Sequence, residues 1–311
     1  RRDLRRKTIF TIDPADAKDY DDAVSLEILD SGHLLLGVHI ADVSNYVEAG
    51  TTLDEESLAR GNSVYLVDRV IPMLPAYLTT QICSLLPGED RLTHSVEIRL
   101  TAEGEVESFS TFPSIIHSAS RLNYDQVQQL LNERQSREIP DALHSIILDM
   151  HELAMRLRAR RMENGSVAFT LPEVKCQLDD RGVPVRLVKR VEFEAYQLIE
   201  EFMLLANQLV AQRLLEQDVP AMYRVHPAPD QEQWKRMAAE LHTLGVSHAP
   251  HYRAEINRVA DALRGKPVEY PASISILRNF KQAVYAADCE PHFGLAFDHY
   301  THFTSPIRSA A

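Results

Sequence analysis

The sequence predicts a single α+β domain in which strands come first and helices follow. Alternation of apolar and polar residues, typical of half-buried strands, dominates the chain before Tyr124, and helical periodicity dominates after it. No internal repeat, low-complexity tract or long flexible linker divides the chain. Its 311 residues, 45% hydrophobic and 25% charged, are enough to bury a large core in one domain or two. Together these observations favour one α+β domain.

The strands are predicted from apolar and polar alternation. Residues 7–12 alternate as a half-buried strand, and 23–29 and 34–40 continue the pattern, with the Asp-Ser-Gly turn at 30–32 joining the last two as a hairpin. The other predicted strands cover 63–66, 94–100, 106–110, 168–178 and 183–188.

The helices are predicted from capping residues and a period of 3.6. Thr51 followed by acids at 54–56 indicates a helix start, because a hydroxyl caps the first turn and carboxylates favour its positive end. The later helices are predicted at 125–133, 141–162, 193–215, 231–244, 253–264 and 274–285.

Composition bounds the compartment and the class of protein. No run of about eighteen apolar residues appears, and the charged first residues lead into a strand pattern, so neither membrane insertion nor secretion is predicted. Cys83, Cys176 and Cys289 are odd in number and far apart, which favours reduced thiols in a cytoplasmic protein over disulfides or zinc.

The net charge of -12 argues against a generic nucleic-acid binder, because such proteins usually present a basic face to phosphates. Carboxylates that bind metal add to the negative count, however, and an enclosed channel can be basic on an acidic protein.

An acidic cluster carries the chemistry. Asp13, Asp16, Asp19, Asp21 and Asp22 place five carboxylates in ten residues at the end of an apolar strand. Crowded carboxylates repel one another, and hard divalent cations such as Mg²⁺ or Mn²⁺ relieve that repulsion. For an arbitrary acidic cluster, a solvated turn is the commoner explanation. A calcium-binding EF-hand loop is excluded, because alanine and lysine stand where its acids and glycine are required.

The stretch at 11–22 resembles the acidic motif of the ribonuclease II / ribonuclease R (RNB) family, with acids six, eight and nine residues beyond the first. Further segments similar to that family follow in family order, at 71–75 (IPMLP), 83–92 (CSLLPGEDRL), 200–207 (EEFMLLAN), 223–226 (YRVH) and 302–308 (HFTSPIR).

The resemblance implies a fold and an activity. The fold would be an RNB-type catalytic domain over 1–311, with a mixed β-sheet or barrel core surrounded by helices. The activity would be metal-dependent 3′-to-5′ hydrolysis of single-stranded RNA to nucleoside 5′-monophosphates, with Mg²⁺ or Mn²⁺. Family members continue beyond Ser-Pro-Ile-Arg with a further helical region, and most bacterial members carry flanking OB-type RNA-binding domains. Both parts are expected to be absent from this chain.

The resemblance also implies roles for individual residues. Asp13 and Asp22 are expected as direct metal ligands, and Asp19 and Asp21 as completing the metal site or positioning the terminal nucleotide's hydroxyls. Asp21 and Arg308 are the expected catalytic residues, since a planar guanidinium can hold two phosphate oxygens and offset developing charge.

Four further residues are expected to bind RNA. Tyr65 and Phe169 match the family's base-stacking positions, Phe169 only to within a residue or so. Tyr124 is a weaker candidate, because a tyrosine that opens an amphipathic helix is more often a core anchor. Glu200 would lie near the 3′ end of the RNA, and an exposed helix acid is nearly as good an explanation.

Two other groups are left out of the site. The arginines at 156, 158, 160 and 161 spread over more than one helix face and are interpreted as solubilising. His292, His299 and His302 fit no zinc spacing and are interpreted as structural or RNA-contacting.

Two alternative functions remain at the level of sequence. One is a catalytically silent RNA-binding protein of the same fold, which the four intact acids disfavour. The other is a deoxyribonuclease or phosphatase on an unrelated scaffold, which a requirement for the 2′-hydroxyl would distinguish.

Overall fold

The structure is a computed structural model that describes residues 1–168, 174–189 and 193–310. The strands are β1 (Arg2–Asp3), β2 (Ile9–Asp13), β3 (Asp22–Ile28), β4 (Leu34–Ala41), β5 (Val64–Tyr65), β6 (Val70–Ile71), β7 (Asp90–Leu100), β8 (Val106–Asn123), β9 (Val174–Leu178), β10 (Pro184–Lys189), β11 (Tyr223–Val225) and β12 (Val284–Ala286). The α-helices are α1 (Thr52–Arg60), α2 (Tyr124–Glu133), α3 (Asp141–Glu163), α4 (Glu194–Glu216), α5 (Gln231–Thr243), α6 (Arg253–Leu263) and α7 (Glu269–Arg278).

Strands β2, β3, β4, β7 and β8 close into a barrel. Neighbouring strands follow the order β8-β2-β3-β4-β7, and β7 pairs again with β8. β8 is parallel to β2, whereas the other pairs are antiparallel. Because β8 is 18 residues long, residues 106–117 can pair with β7 and residues 118–123 with β2. The predicted mixed sheet or barrel core surrounded by helices is confirmed.

The outer face of the barrel packs against helices. Alternate residues of the strands, such as Phe10, Val24 and Leu36, share one apolar cluster with Ile147 of α3 and Phe202 of α4. Burying a side chain of this size stabilises a fold by about 1.5–3 kcal/mol. The apolar face of the strands, which repeats every two residues, thus packs against the apolar faces of the helices, which repeat every 3.6 residues. The large core lies between them.

The inner face of the barrel carries a buried polar network. His39 lies between two serines, with its Nε2 3.0 Å from Ser25 Oγ and its Nδ1 2.7 Å from Ser95 Oγ. Ser95 Oγ in turn lies 2.6 Å from Ser114 Oγ. Gly37 leaves room for this network, since a Cβ there would overlap Ser25 Oγ and the His39 ring.

A second group of helices forms its own small core beside the barrel. Residues of α5, α6 and α7, among them Met237, Ile256 and Ile276, pack with Phe293. No helix in the described ranges is both long and apolar enough to cross a membrane.

Two predicted elements differ from the structure. The strand predicted at 106–110 extends to Asn123, because its inward positions include the fully buried Ser114 and Ser118, which look polar in the sequence.

The helix predicted at 274–285 was wrong in its position. α7 instead begins at Glu269, with Pro271 in the first turn where a missing N–H costs little, and ends at Arg278. The apolar residues at 284–286 form β12, which pairs with β11. A long-range strand pairing therefore decides the structure of this segment, and local periodicity does not reveal it.

Candidate active site

The acidic cluster lies at one rim of the barrel. Asp13 is the last residue of β2 and pairs with Asn123 at the end of β8, whereas Asp22 opens β3 opposite Ile40. The loop between them carries Asp19 and Asp21. Barrel closure therefore brings the four predicted acids, the end of β8 and the start of α2 to the same rim.

Asp21 is held by the C-terminal segment of the chain. Its carboxylate is 1% exposed, and its Oδ1 accepts a hydrogen bond of 2.8 Å from the backbone N–H of Ile307. Its Oδ2 lies 2.8 Å from Nε of Arg308, an ion pair without hydrogen-bond alignment. Residues almost 290 positions apart in sequence thus meet at this carboxylate.

Arg308 contacts two of the acids. Besides Asp21, its Nε lies 3.4 Å from Oδ2 of Asp19, and its Nη2 donates a 3.0 Å hydrogen bond to the carbonyl oxygen of Asp19. The predicted arginine therefore lies at the acidic rim, where it is the counter-charge of Asp19 and Asp21.

The buried carboxyl groups at the rim resist ionisation. Burial raises the pKa of Asp13, and the charge of Asp22 raises it further. Burial also raises the pKa of Asp22 against the opposing effect of Arg308. Burial raises the pKa of Asp21 to about 7, and Arg308 limits the rise. One arginine does not neutralise this set, so a further cation would favour the ionised state of all three groups.

The carboxylates at the rim offer oxygen ligands to a metal ion, but their side chains are not arranged as a complete coordination site. Oδ2 of Asp13 is buried and has no hydrogen-bond partner, which is unusual for a carboxylate oxygen. Within residues 1–168, 174–189 and 193–310, however, no three acidic, histidine or cysteine side chains are grouped so that they could hold a metal ion. The donor chemistry fits a hard divalent cation, and the four ligands remain a prediction.

Tyr65 lies at the site on the small ribbon formed by β5 and β6. Its hydroxyl donates a 3.1 Å hydrogen bond to Oδ2 of Asp19, while the residue is 54% exposed. Partial burial, opposed by Arg308, raises the pKa of Tyr65 to about 12. The ring is therefore placed at the rim with a surface open to solvent.

Tyr124 also lies near the acids. It follows Asn123, whose side chain caps α2 in a capping box with Gln126. Burial, followed by the charges of Asp22 and Asp13, raises its pKa. Its ring centroid lies 4.2 Å from that of Tyr196 on α4, so Tyr124 has the packing of a core anchor and the position of a site residue.

The structure separates the two acids of the pair on α4. Glu200 is exposed, and after burial its charge contributes to the raised pKa of Tyr300. Glu201 is only 2% exposed and accepts a 3.0 Å hydrogen bond from Nε of Arg161. The interpretation of Arg161 as solubilising was wrong, because this arginine faces α4 and is itself buried.

Phe169, the remaining predicted RNA-binding residue, lies outside the described residues.

The histidines form part of a packed aromatic group. The rings of His226 and His292 are 5.0 Å apart, and Nδ1 of His292 accepts a 3.2 Å hydrogen bond from the N–H of Leu295. His302 Nδ1 lies 2.6 Å from the hydroxyl of Tyr285. These contacts favour the structural interpretation of His292 and His302.

Sequence reasoning missed Asn207, Glu201 and Tyr196, which all lie on α4. Asn207 could have been noticed, because asparagine is a poor helix former and here stands within an apolar helical stretch. Their partners Tyr124, Arg161 and residues 300–304 lie far away in sequence, which no local pattern reveals.

Comparison with known proteins identifies similar sequences and structures. Residues 1–310 match the RNB domain family. Ribonuclease R of Thermotoga maritima is 43% identical over 99% of this chain, and Ribonuclease R 2 of Lactococcus lactis is 37% identical over 99%. The chain spans 44% and 47% of these two proteins, less than half of either.

A solved structure agrees with the sequence comparisons. RNase R of Mycoplasma genitalium, in complex with ribose methylated single-stranded RNA, superimposes with a TM-score of 0.95 at 29% identity. The match covers 99% of this chain and 49% of that one.

Proposed function

Because the chain belongs to the RNB domain family, we propose that it is the catalytic part of a metal-dependent exoribonuclease. It would shorten single-stranded RNA from the 3′ end and release nucleoside 5′-monophosphates. The two curated relatives are ribonucleases R, which supports this reaction. The Mycoplasma genitalium protein binds single-stranded RNA, which supports this substrate.

Arg308 meets the acids at the barrel rim, and this geometry gives the proposal its main support. Phosphodiester hydrolysis needs negative charge on the phosphate to be offset, and it needs water or hydroxide to be held near the phosphorus. A rim with buried carboxylates and one arginine provides both kinds of group.

The metal would be held by the four acids. Asp13 offers a buried carboxylate and Asp22 a half-buried one at the ends of two strands, and Asp19 and Asp21 lie on the loop between them. Mg²⁺, or Mn²⁺ in its place, would activate water and offset charge on the phosphate when bound.

Arg308 would bind the scissile phosphate. Its guanidinium now faces two carboxylates, and a phosphate entering the rim would share it. Since arginine holds paired oxygens in a planar geometry, it can orient the phosphate and stabilise the charge that develops there.

The RNA strand would be held by rings rather than by base-specific contacts. Tyr65 has an open ring face at the rim, and Tyr124 lies on the side of α2 and α4. Phe169 and Glu200 complete the proposed set. Stacking on such rings is sequence-tolerant and contributes about 1–3 kcal/mol per base.

A catalytically silent RNA-binding protein is the second candidate. This candidate is favoured because, among the described residues, no three acidic, histidine or cysteine side chains are grouped so that they could hold a metal ion. Such a protein would bind RNA without cutting it, whichever metal ion is added.

A gel assay with 5′-labelled poly(A) tests both candidates. We expect a ladder that shortens from the 3′ end with Mg²⁺ or Mn²⁺, no reaction with EDTA, and none with Asp21→Asn. Asp16→Asn is the matched control, because Asp16 belongs to the same loop but is exposed and pairs with Lys175 at 3.3 Å; it should cut like the unchanged protein. RNA bound but uncut under all conditions would contradict the enzyme and support the silent protein, and equal cutting of a DNA strand would contradict the specificity for RNA.

A further inference from the structure

We propose that Asn207 of α4 is a positioning residue that holds Arg308 at the acidic rim. The inference deepens the proposed function, and it rests on that function for the role of Arg308. Asn207 itself would not touch RNA or metal. It would act through the backbone of the segment that ends in Arg308.

Asn207 uses its whole amide group on this one segment. The side chain is 3% exposed, and its Oδ1 accepts hydrogen bonds from the N–H groups of Phe303, at 2.7 Å, and Thr304, at 3.2 Å. Its Nδ2 donates to Oγ1 of Thr304 at 3.1 Å and to the hydroxyl of Tyr300 at 3.2 Å. Two acceptances and two donations exhaust what a buried amide is normally able to satisfy.

A tight turn connects the segment held by Asn207 to the site. The N–H groups of Arg308 and Ser309 both donate to the carbonyl oxygen of Ser305, at 3.2 and 3.1 Å. Pro306 stands inside this turn and restricts its backbone further. Ile307 then donates to Asp21, so a shift at Thr304 is passed to the rim within four residues.

A second anchor holds the far side of Arg308. The N–H of Ser63 donates to the carbonyl oxygen of Arg308 at 2.9 Å, and the N–H of Ala310 donates to Gly61 at 2.9 Å. Loss of Asn207 would therefore loosen the arginine without releasing it. A partial loss of rate follows, rather than complete inactivity.

The kinetic test is a double-mutant cycle between the two residues. Arg308→Ala should lower kcat by about 10²- to 10³-fold, as for loss of one group that stabilises charge. Asn207→Ala should lower kcat by about 10- to 100-fold through misplacement, with KM for poly(A) changed little because the stacking rings stay in place. The double variant should be no slower than Arg308→Ala alone.

Asn279→Ala is the matched control for loss of a buried amide. Asn279 is 1% exposed and makes three hydrogen bonds, to Arg236, Glu240 and Ser275, in the separate α5–α7 core. This variant should leave kcat unchanged. If Asn207→Ala slows the Arg308→Ala variant by the same factor as the unchanged protein, the two residues act independently and the proposal is overturned.

A readout without RNA separates this proposal from the proposed function. Amide hydrogen exchange should quicken at Phe303, Thr304 and Ile307 in Asn207→Ala and stay slow in Asn279→Ala. Unchanged exchange at these amides would refute the positioning role even in an active enzyme. Faster exchange in a protein that cuts no RNA would support the positioning and refute only the proposed function.

Thr304→Val keeps the proposal testable if Asn207→Ala does not fold. Valine has the shape of threonine but lacks the hydroxyl that accepts from Asn207, so it removes one of the four hydrogen bonds. Its kcat should fall about 2- to 10-fold, and this loss should disappear in the Arg308→Ala background. A loss that persists there would count against the proposal.

Discussion

At the scale of single residues, the site is defined by carboxyl groups that the fold buries at a cost. Asp13, Asp21 and Asp22 have raised pKa values chiefly because of burial. A raised pKa for a carboxyl means that folding disfavours its charged form, so the stability it contributes is present below the unfolded pKa and lost as pH rises through the folded one.

Asp13→Asn should therefore stabilise the metal-free protein at alkaline pH. The variant lacks the buried charge, so in EDTA at pH 8.5 its Tm should exceed that of the unchanged protein by a few degrees, given roughly 2–4 °C per kcal/mol in large domains. Near pH 4 the difference should shrink, since the carboxyl is protonated there in the folded state and close to half protonated in the unfolded state. Thermal unfolding monitored by circular dichroism measures this, and a lower Tm for Asp13→Asn at pH 8.5 would contradict the account.

His39 provides the opposite pH dependence. Burial, with a smaller effect of Lys7, lowers its pKa to about 3. Its contribution to stability is present above the unfolded pKa near 6.5 and is lost as pH falls toward 3. His39→Gln should be less stable at pH 7 but should lose less Tm between pH 7 and 4.5. Equal slopes for His39→Gln and the unchanged protein would contradict the buried neutral state.

The residues of the site were only partly predictable. The acidic spacing, Tyr65 and Arg308 stand in recognisable motifs, and the structure brings them to one rim. Asn207 and the Arg161–Glu201 pair were missed because their partners lie on elements far away in sequence. Glu201 and Asn207 stand in the quoted segment 200–207, but the sequence of that segment does not indicate what they contact.

At the scale of elements, the two faces of the barrel strands hold different types of residue. The outer positions follow apolar alternation, and the inner positions hold serine, threonine and histidine at full burial. Local patterns predict the first kind of position and misjudge the second. β8 was underestimated for this reason, and β12 was assigned to a helix because its pairing with β11 is long-range.

Gly37→Ala should strain the inner face of β4. A methyl group there would overlap Ser25 Oγ and the His39 ring, and overpacking of this kind usually costs about 1–3 kcal/mol. Urea unfolding should give that loss. Adding Ser25→Ala should recover part of it, because the closest atom is removed; a double variant that is less stable by the full sum of the single losses would contradict the overlap.

The β5–β6 ribbon should bind RNA by base stacking on the ring of Tyr65. Tyr65→Ala removes the ring and should raise KM for poly(A) about 10-fold, since stacking contributes about 1–3 kcal/mol per base. Tyr65→Phe keeps the ring and loses only the hydrogen bond to Asp19, so its KM should stay within about 3-fold of the original. Fluorescence anisotropy of labelled poly(A) checks both variants, and weaker binding by Tyr65→Phe than by Tyr65→Ala would exclude a stacking role.

At the scale of the whole molecule, an acidic protein is proposed to bind a polyanion. The net charge of -12 disfavours long-range attraction of RNA, so the proposed binding would depend on rings, on Arg308 and on cations at the rim. The α+β class and most elements follow from periodicity. Closure of the barrel, which places Asp13 beside Asn123 and Asp22 beside Ile40, depends on strand pairings that sequence patterns do not contain.

The identity of the first product distinguishes a metal-dependent 3′-to-5′ exoribonuclease from other nucleases. Poly(A) carrying a label in its 3′-terminal nucleotide is mixed with excess protein and Mg²⁺, and the products are separated at short times. Labelled adenosine 5′-monophosphate should appear first, with no short labelled oligonucleotide, and EDTA should abolish its release. Labelled oligonucleotides as first products, a nucleoside 3′-phosphate, or release that persists in EDTA would contradict a metal-dependent 3′-to-5′ exoribonuclease.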